Sequence, residues 1–120
     1  MNYFFDTYAL IELIEGNEQY KKYFSETVIT LRDNLAEMYY FLLKTYGEKK
    51  ALFYCEKFSR IVVDFPLSAI SKAMLFRYAN KKKKLSYIDS FGYTYALEHD
   101  LAFVTGDRAF KGMKNVEIVR

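Results

Sequence analysis

Four acids occupy places where an acid is hard to explain by solubility alone. Asp6 ends the apolar run Asn2 to Phe5, and Asp107 follows the apolar run Leu101 to Val104 by three residues. Asp89 falls in the first turn of one expected helix and Glu37 in the first turn of another. Carboxylates brought within a few ångströms raise one another's pKa. A divalent cation removes that penalty, and an oxygen-only ligand set suits Mg2+ or Mn2+, as one ion or two. The chemistry such a site serves is phosphodiester hydrolysis. The metal lowers the pKa of a water and neutralises charge on the phosphate and leaving oxygen. No protein nucleophile is required, which fits a chain with one cysteine, Cys55, and one histidine, His99.

The elements that would gather these acids alternate. Strands are expected over Asn2 to Phe5, Thr27 to Leu31, Arg60 to Phe65, Leu101 to Val104 and Val116 to Val119. Helices are expected over Thr7 to Glu15, Glu18 to Phe24, Asn34 to Tyr46, Glu48 to Phe58, Leu67 to Asn80 and Ser86 to His99. The third helix of that set carries Leu35, Met38, Tyr39, Leu42, Leu43 and Tyr46 at helical spacing. In the next, Leu52, Cys55 and Phe58 form the expected inner edge. This alternation predicts an α/β fold in three layers, with a central, mostly parallel sheet flanked by helices. Ligands bind such sheets at the carboxyl ends of the strands. Asp6 and Asp107 should share that edge.

The chain has 120 residues, which predicts one domain over 1–120. At 52% hydrophobic and 28% charged it is globular, not disordered. A single cysteine excludes an internal disulfide and a multi-cysteine zinc site. The stretch to Ile14 carries Asp6 and Glu12 with no basic leader, and no run nears ~18 apolar residues. A cytoplasmic protein without a membrane segment is expected. A formal charge of +3 does not by itself argue for nucleic acid. Tyr and Phe number 12 and 11, so some rings are expected to cover a partner.

Four segments together resemble a known family: Phe4-Phe5-Asp6-Thr7, Leu35-Ala36-Glu37, Ser86-Tyr87-Ile88-Asp89 and Phe103-Val104-Thr105-Gly106-Asp107. The pattern is similar to the PIN-domain nucleases, and most to the VapC-type toxins of prokaryotic toxin–antitoxin pairs. The resemblance implies that Asp6, Glu37, Asp89 and Asp107 are catalytic and bind the metal, with Thr105 and Thr7 in support. It implies a metal-dependent ribonuclease, a homodimer, and an antitoxin partner. Ser90 and Tyr93 to Tyr95 are bulkier or more polar than the alanine-rich stretch common after the third acid. Arg108, Lys111 and Lys114 follow the last acid and are candidates to hold RNA.

Each acid also has a purely structural role open to it. Asp6 could cap the first helix. Glu37 after Asn34, and Asp89 after Ser86, have capping-box spacing. Asp107 could cap Arg108 to Phe110. Asp64 is read as the cap of the helix near Pro66, His99 as a satisfied residue at a helix end, and Cys55 as core. The run Lys81 to Lys84 reads as a solvated helix end or a phosphate contact. Two rival functions stay open. One is a PIN-like module that binds RNA or protein without cutting. The other is a haloacid-dehalogenase-type phosphatase, whose second acid this chain replaces with Tyr8.

Overall fold

The computed structural model describes residues 2–120. Its centre is a five-stranded sheet of β1 (Asn2–Phe5), β2 (Thr27–Leu31), β3 (Val62–Val63), β4 (Ala102–Thr105) and β5 (Val116–Ile118). The order is β3-β2-β1-β4-β5 and every pair is parallel, so the sheet is wholly rather than mostly parallel. The helices are α1 (Thr7–Ile14), α2 (Arg32–Tyr46), α3 (Glu48–Phe58), α4 (Ile70–Ala79) and α5 (Tyr87–Glu98).

Successive strand residues point to opposite faces, and each face builds its own core. Phe5 and Val104 join Leu10, Tyr20, Tyr23, Met38, Leu42 and Ala51 under α1, α2 and α3. Phe4 and Phe103 join Leu31, Tyr93, Ala96, Leu101 and Phe110 under α5. Phe4 pairs Phe103 across the ladder, and their rings stack at 5.6 Å. α5 approaches this pair closely because Gly92 has no side chain; a Cβ there would lie 3.0 Å from the Phe4 ring. The polar residues Ser90 and Thr94 on α5 turn inward without cost. Their hydroxyls donate to Ser86 O at 3.0 Å and to Ser90 O at 2.7 Å. The buried tyrosine hydroxyls are likewise satisfied, Tyr20 by Val119 O at 2.8 Å and Tyr93 by Lys114 O at 2.8 Å.

Several element boundaries differ from expectation. α2 begins at Arg32 with Leu31 as an uncapped N-cap residue. Asn34 is therefore inside the first turn and buried, and the Asn34–Glu37 capping pair does not form. β3 shrinks to two residues because Ser59–Ile61 winds into a 3-10 turn and Pro66 cannot donate to a ladder. Glu18–Tyr23 and Leu67–Ala69 are 3-10 turns, and the regular helix α4 starts only at Ile70. Asp64 caps nothing; its Oδ1 takes a hydrogen bond from Arg32 Nη2 at 2.6 Å, and Pro66 precedes the 3-10 turn without a side-chain cap. On α3 the buried residue is Ala51, with Tyr54 and Phe58 against the core. Leu52 is exposed and Cys55 only half-buried. His99 sits at the end of α5, its Nδ1 2.9 Å from Tyr95 O and its ring stacked on Tyr95 at 4.0 Å. No helix of the described residues is long and apolar enough to cross a membrane.

Candidate active site

The carboxyl edge of β1 and β4, the sheet's central pair, opens into a cleft of about 420 Å3. Asp6, Thr7, Tyr8, Asp89, Gly106, Asp107, Arg108 and Arg120 line it. Asp6 ends β1 and becomes the N-cap of α1, its Oδ1 accepting from Ala9 N at 2.9 Å. It is 5% exposed. Burial pushes its carboxyl up to about 7, and the charges of Asp89 and Asp107 add to that rise. Hydrogen bonds from the Thr105 side chain and the Ala9 amide oppose it.

Thr105, the last residue of β4, is fully buried. Besides bonding Asp6, its Oγ1 accepts from Asp107 N at 3.0 Å. One hydroxyl thus couples the first acid to the loop that carries the last. Asp107 is exposed and caps the turn Arg108–Phe110, its Oδ1 accepting from Ala109 N at 2.9 Å. Gly106 between them carries the Tyr8 ring. A Cβ at 106 would lie 1.9 Å from Tyr8 Cε1, so glycine is required by this contact.

Asp89 closes a capping box with Ser86: Ser86 N donates to its Oδ2 at 3.0 Å, and Asp89 N donates to Ser86 Oγ at 3.0 Å. The capping roles open to Asp6, Asp89 and Asp107 are therefore real. For Asp89 and Asp107 the cap uses a single carboxylate oxygen.

Glu37 does not line the cleft. It is exposed on α2 and accepts at Oε1 from the hydroxyl of Thr7, a cleft residue, at 2.5 Å. Thr7 in turn accepts from Asn34 Nδ2 at 3.1 Å. Asn34 is 2% exposed, and its Oδ1 has no partner among the described residues. This Asn34–Thr7–Glu37 chain is how the second helix reaches the site. Among the described residues no three acids close on one point as a ready ligand group. Mutual repulsion favours that spacing. The donors are nonetheless all oxygens, and burial together with the charges of Asp89 and Asp107 disfavours the bare Asp6 carboxylate. That donor set suits a hard divalent cation.

Of the candidate RNA-binding residues, Arg108 lines the cleft; Lys111 and Lys114 do not. Sequence reasoning missed Arg120. Its position comes from the last strand's exit, where Val119 N donates to Thr105 O at 2.9 Å and Asn17 Nδ2 to Arg120 O at 3.1 Å. It also missed Asn34 as a buried relay. A second cleft, of about 430 Å3, lies at the end of β2 and β3 and contains Arg32, Asp33 and Asp64.

The PIN domain family model matches residues 3–116. The chain belongs to the PIN-domain family. Solved structures share this PIN fold over almost their whole length. A DNA-bound VapBC complex from Salmonella typhimurium superposes with a TM-score of 0.79 at 21% identity, covering 98% of this chain and 97% of that one. VapC20 of Mycobacterium tuberculosis, a sarcin–ricin loop cleaving toxin, gives 0.76 at 15% identity over 95% of each chain. A toxin–antitoxin complex from Klebsiella pneumoniae gives 0.72 at 20% identity, over 96% of this chain and 95% of that one. Among curated proteins, no sequence match was found.

Proposed function

We propose that this PIN-domain protein is a metal-dependent endoribonuclease, the toxin of a VapBC-type pair. The observation that carries the reading is a buried, charge-frustrated carboxyl, Asp6, at the end of the central strand, in a cleft it shares with Asp89 and Asp107. Asp6, Asp89 and Asp107, with Glu37 brought in through Thr7, are the residues that would hold Mg2+ or Mn2+. A bound ion would supply Lewis acidity, to water and to the phosphate alike. The chain's own residues do the rest. Thr105 keeps Asp6 and the Asp107 loop in register, and Thr7 does the same for Glu37. Arg108 and Arg120 present positive charge at the cleft for an RNA phosphate. A toxin of this kind works in the cytoplasm and is silenced by an antitoxin; the exposed side chains Tyr40 on α2 and Leu52 and Phe53 on α3 suit contact with an antitoxin segment or a second copy in a homodimer.

The deciding experiment is cleavage of a panel of single-stranded and structured RNAs with Mn2+, Mg2+ or EDTA, beside Asp6→Asn. Cutting that needs both metal and Asp6 is expected. Equal cutting by Asp6→Asn, in protein free of contaminating nuclease, refutes the site. A second reading is favoured by one observation, that three of the acids already serve as helix caps. It is a PIN module that binds RNA without cutting. Tight RNA binding with no turnover and no Mn2+ uptake would establish it.

A further inference from the structure

Charge in this chain is segregated. Residues 65–88 hold Lys72, Arg77 and Lys81 to Lys84 and no acid, whereas the whole chain carries only +3, so the remainder is net −3. Among the described residues only Lys72 of these six has an acidic partner, Glu98. The same segment exposes two tyrosine rings, Tyr78 at 71% and Tyr87 at 59%. Each ring is paired with a cation. The Arg77 guanidinium lies 4.4 Å from the Tyr87 centroid and Lys81 Nζ 5.0 Å from that of Tyr78.

The strip adjoins, at two points, elements that carry cleft residues. Tyr87 is in the first turn of α5, two residues before Asp89. Lys83 Nζ donates to Ala109 O at 3.2 Å, next to Arg108 in the loop after Asp107. Arg77 Nε is fixed by Leu85 O at 3.0 Å, which holds its guanidinium beside Tyr87. The lysine run is therefore held against the turn that follows Asp107.

Exposed rings beside cations that have no acidic partner make a platform for unpaired nucleotides: bases stack on the rings, and phosphates meet the cations. We propose that α4, the lysine run and the start of α5 form a track for single-stranded RNA leading to the cleft, with Tyr87 and Tyr78 as base-stacking sites and Arg77, Lys81 and Lys82 as phosphate contacts. The proposal rests on the ribonuclease reading and adds to it the surface that would receive the strand outside the cleft. A helical duplex hides its base faces and cannot use the rings.

The test is fluorescence anisotropy in EDTA, with a labelled unpaired RNA 12-mer and a duplex of equal length. Tyr87→Ala and Tyr78→Ala should each weaken binding of the unpaired strand roughly 5- to 100-fold, with Phe at either position restoring it. Lys81→Ala with Lys82→Ala should flatten the dependence of log affinity on log salt by about 1.4. Both rings are exposed, so their removal leaves the fold intact. Unchanged binding by the alanine variants, a preference for the duplex, or no RNA binding by the wild type would each overturn the track. So would a wild-type dimer that Tyr78→Ala dissociates while RNA affinity stays constant, which assigns the strip to a protein contact. A parallel cleavage assay separates the two readings. Asp6-dependent cutting with neutral tyrosine variants removes the track and keeps the nuclease; ring-dependent binding without cutting does the reverse.

Discussion

Replacing Asp6 with Asn should stabilise the metal-free protein in neutral and alkaline solution while abolishing its activity. Asn is nearly isosteric and is as good an N-cap residue as Asp, so the bond from Ala9 N survives. What disappears is a charge that the fold disfavours. The Asp6 carboxyl lies at about 7 when folded, against 3.8 for the ordinary group. An acid with a raised folded-state pKa holds its proton more tightly folded than unfolded. Its contribution is fully favourable below about pH 4 and is lost as pH rises to 7. The full difference amounts to about 4 kcal/mol. Outward rotation of Asp89 or Asp107 would relieve part of it, so a gain of about 1–3 kcal/mol is expected for Asp6→Asn at pH 8, with near equality at pH 4. At this chain length that is a rise in Tm of roughly 4–15 °C. The assay is thermal unfolding by circular dichroism in EDTA from pH 4 to pH 8.5, repeated with Mn2+. Mn2+ should raise the wild-type Tm and leave the variant's alone, since only binding to the folded form stabilises it. A variant that loses as much stability as the wild type between pH 4 and pH 8 refutes the reasoning, because Asp6 would then not be the frustrated group.

Three other substitutions probe the supports of the cleft. Gly106→Ala drives a methyl into the Tyr8 ring and should cost about 1–3 kcal/mol by urea denaturation, with cleavage lost; adding Tyr8→Ala should restore much of both. Thr7→Val removes the hydroxyl shared by Asn34 and Glu37; destabilisation of about 1–3 kcal/mol and weaker Mn2+ binding by calorimetry are expected, and unchanged affinity would detach Glu37 from the site. Asp64→Asn breaks only an exposed pair with Arg32, so stability should change by less than about 1 kcal/mol and cleavage rates should match the wild type.

The strand-end acids were legible because a buried parallel strand is continuously apolar, and its last residue is where a carboxylate becomes conspicuous. The Ser86–Asp89 box was legible as well, since capping spacing is local. The start of α2 was not. Asn34 carries an N-cap residue's signature, but the hydroxyl of Thr7 draws its amide into the interior, and the helix begins two residues earlier at Arg32. Asp64 misled for a related reason: Arg32, over thirty residues away, outcompetes the nearby backbone for its carboxylate. Arg120 left no local signal, because only the exit path of β5 brings it to the cleft. The lysine run left its position open in the sequence; one contact, Lys83 to Ala109, ties it to the turn after Asp107.

The strand order carries a consequence for synthesis. β1 is made first, yet it pairs with β4, whose residues lie about a hundred positions later: Phe4 waits for Phe103 and Asp6 for Thr105. Contacts this distant in sequence form late and slowly. Until residues 102–107 have been made, Asp6 has neither its hydroxyl partner nor the loop bearing Asp107. On the proposed nuclease reading, the site cannot assemble until both distant segments have been made.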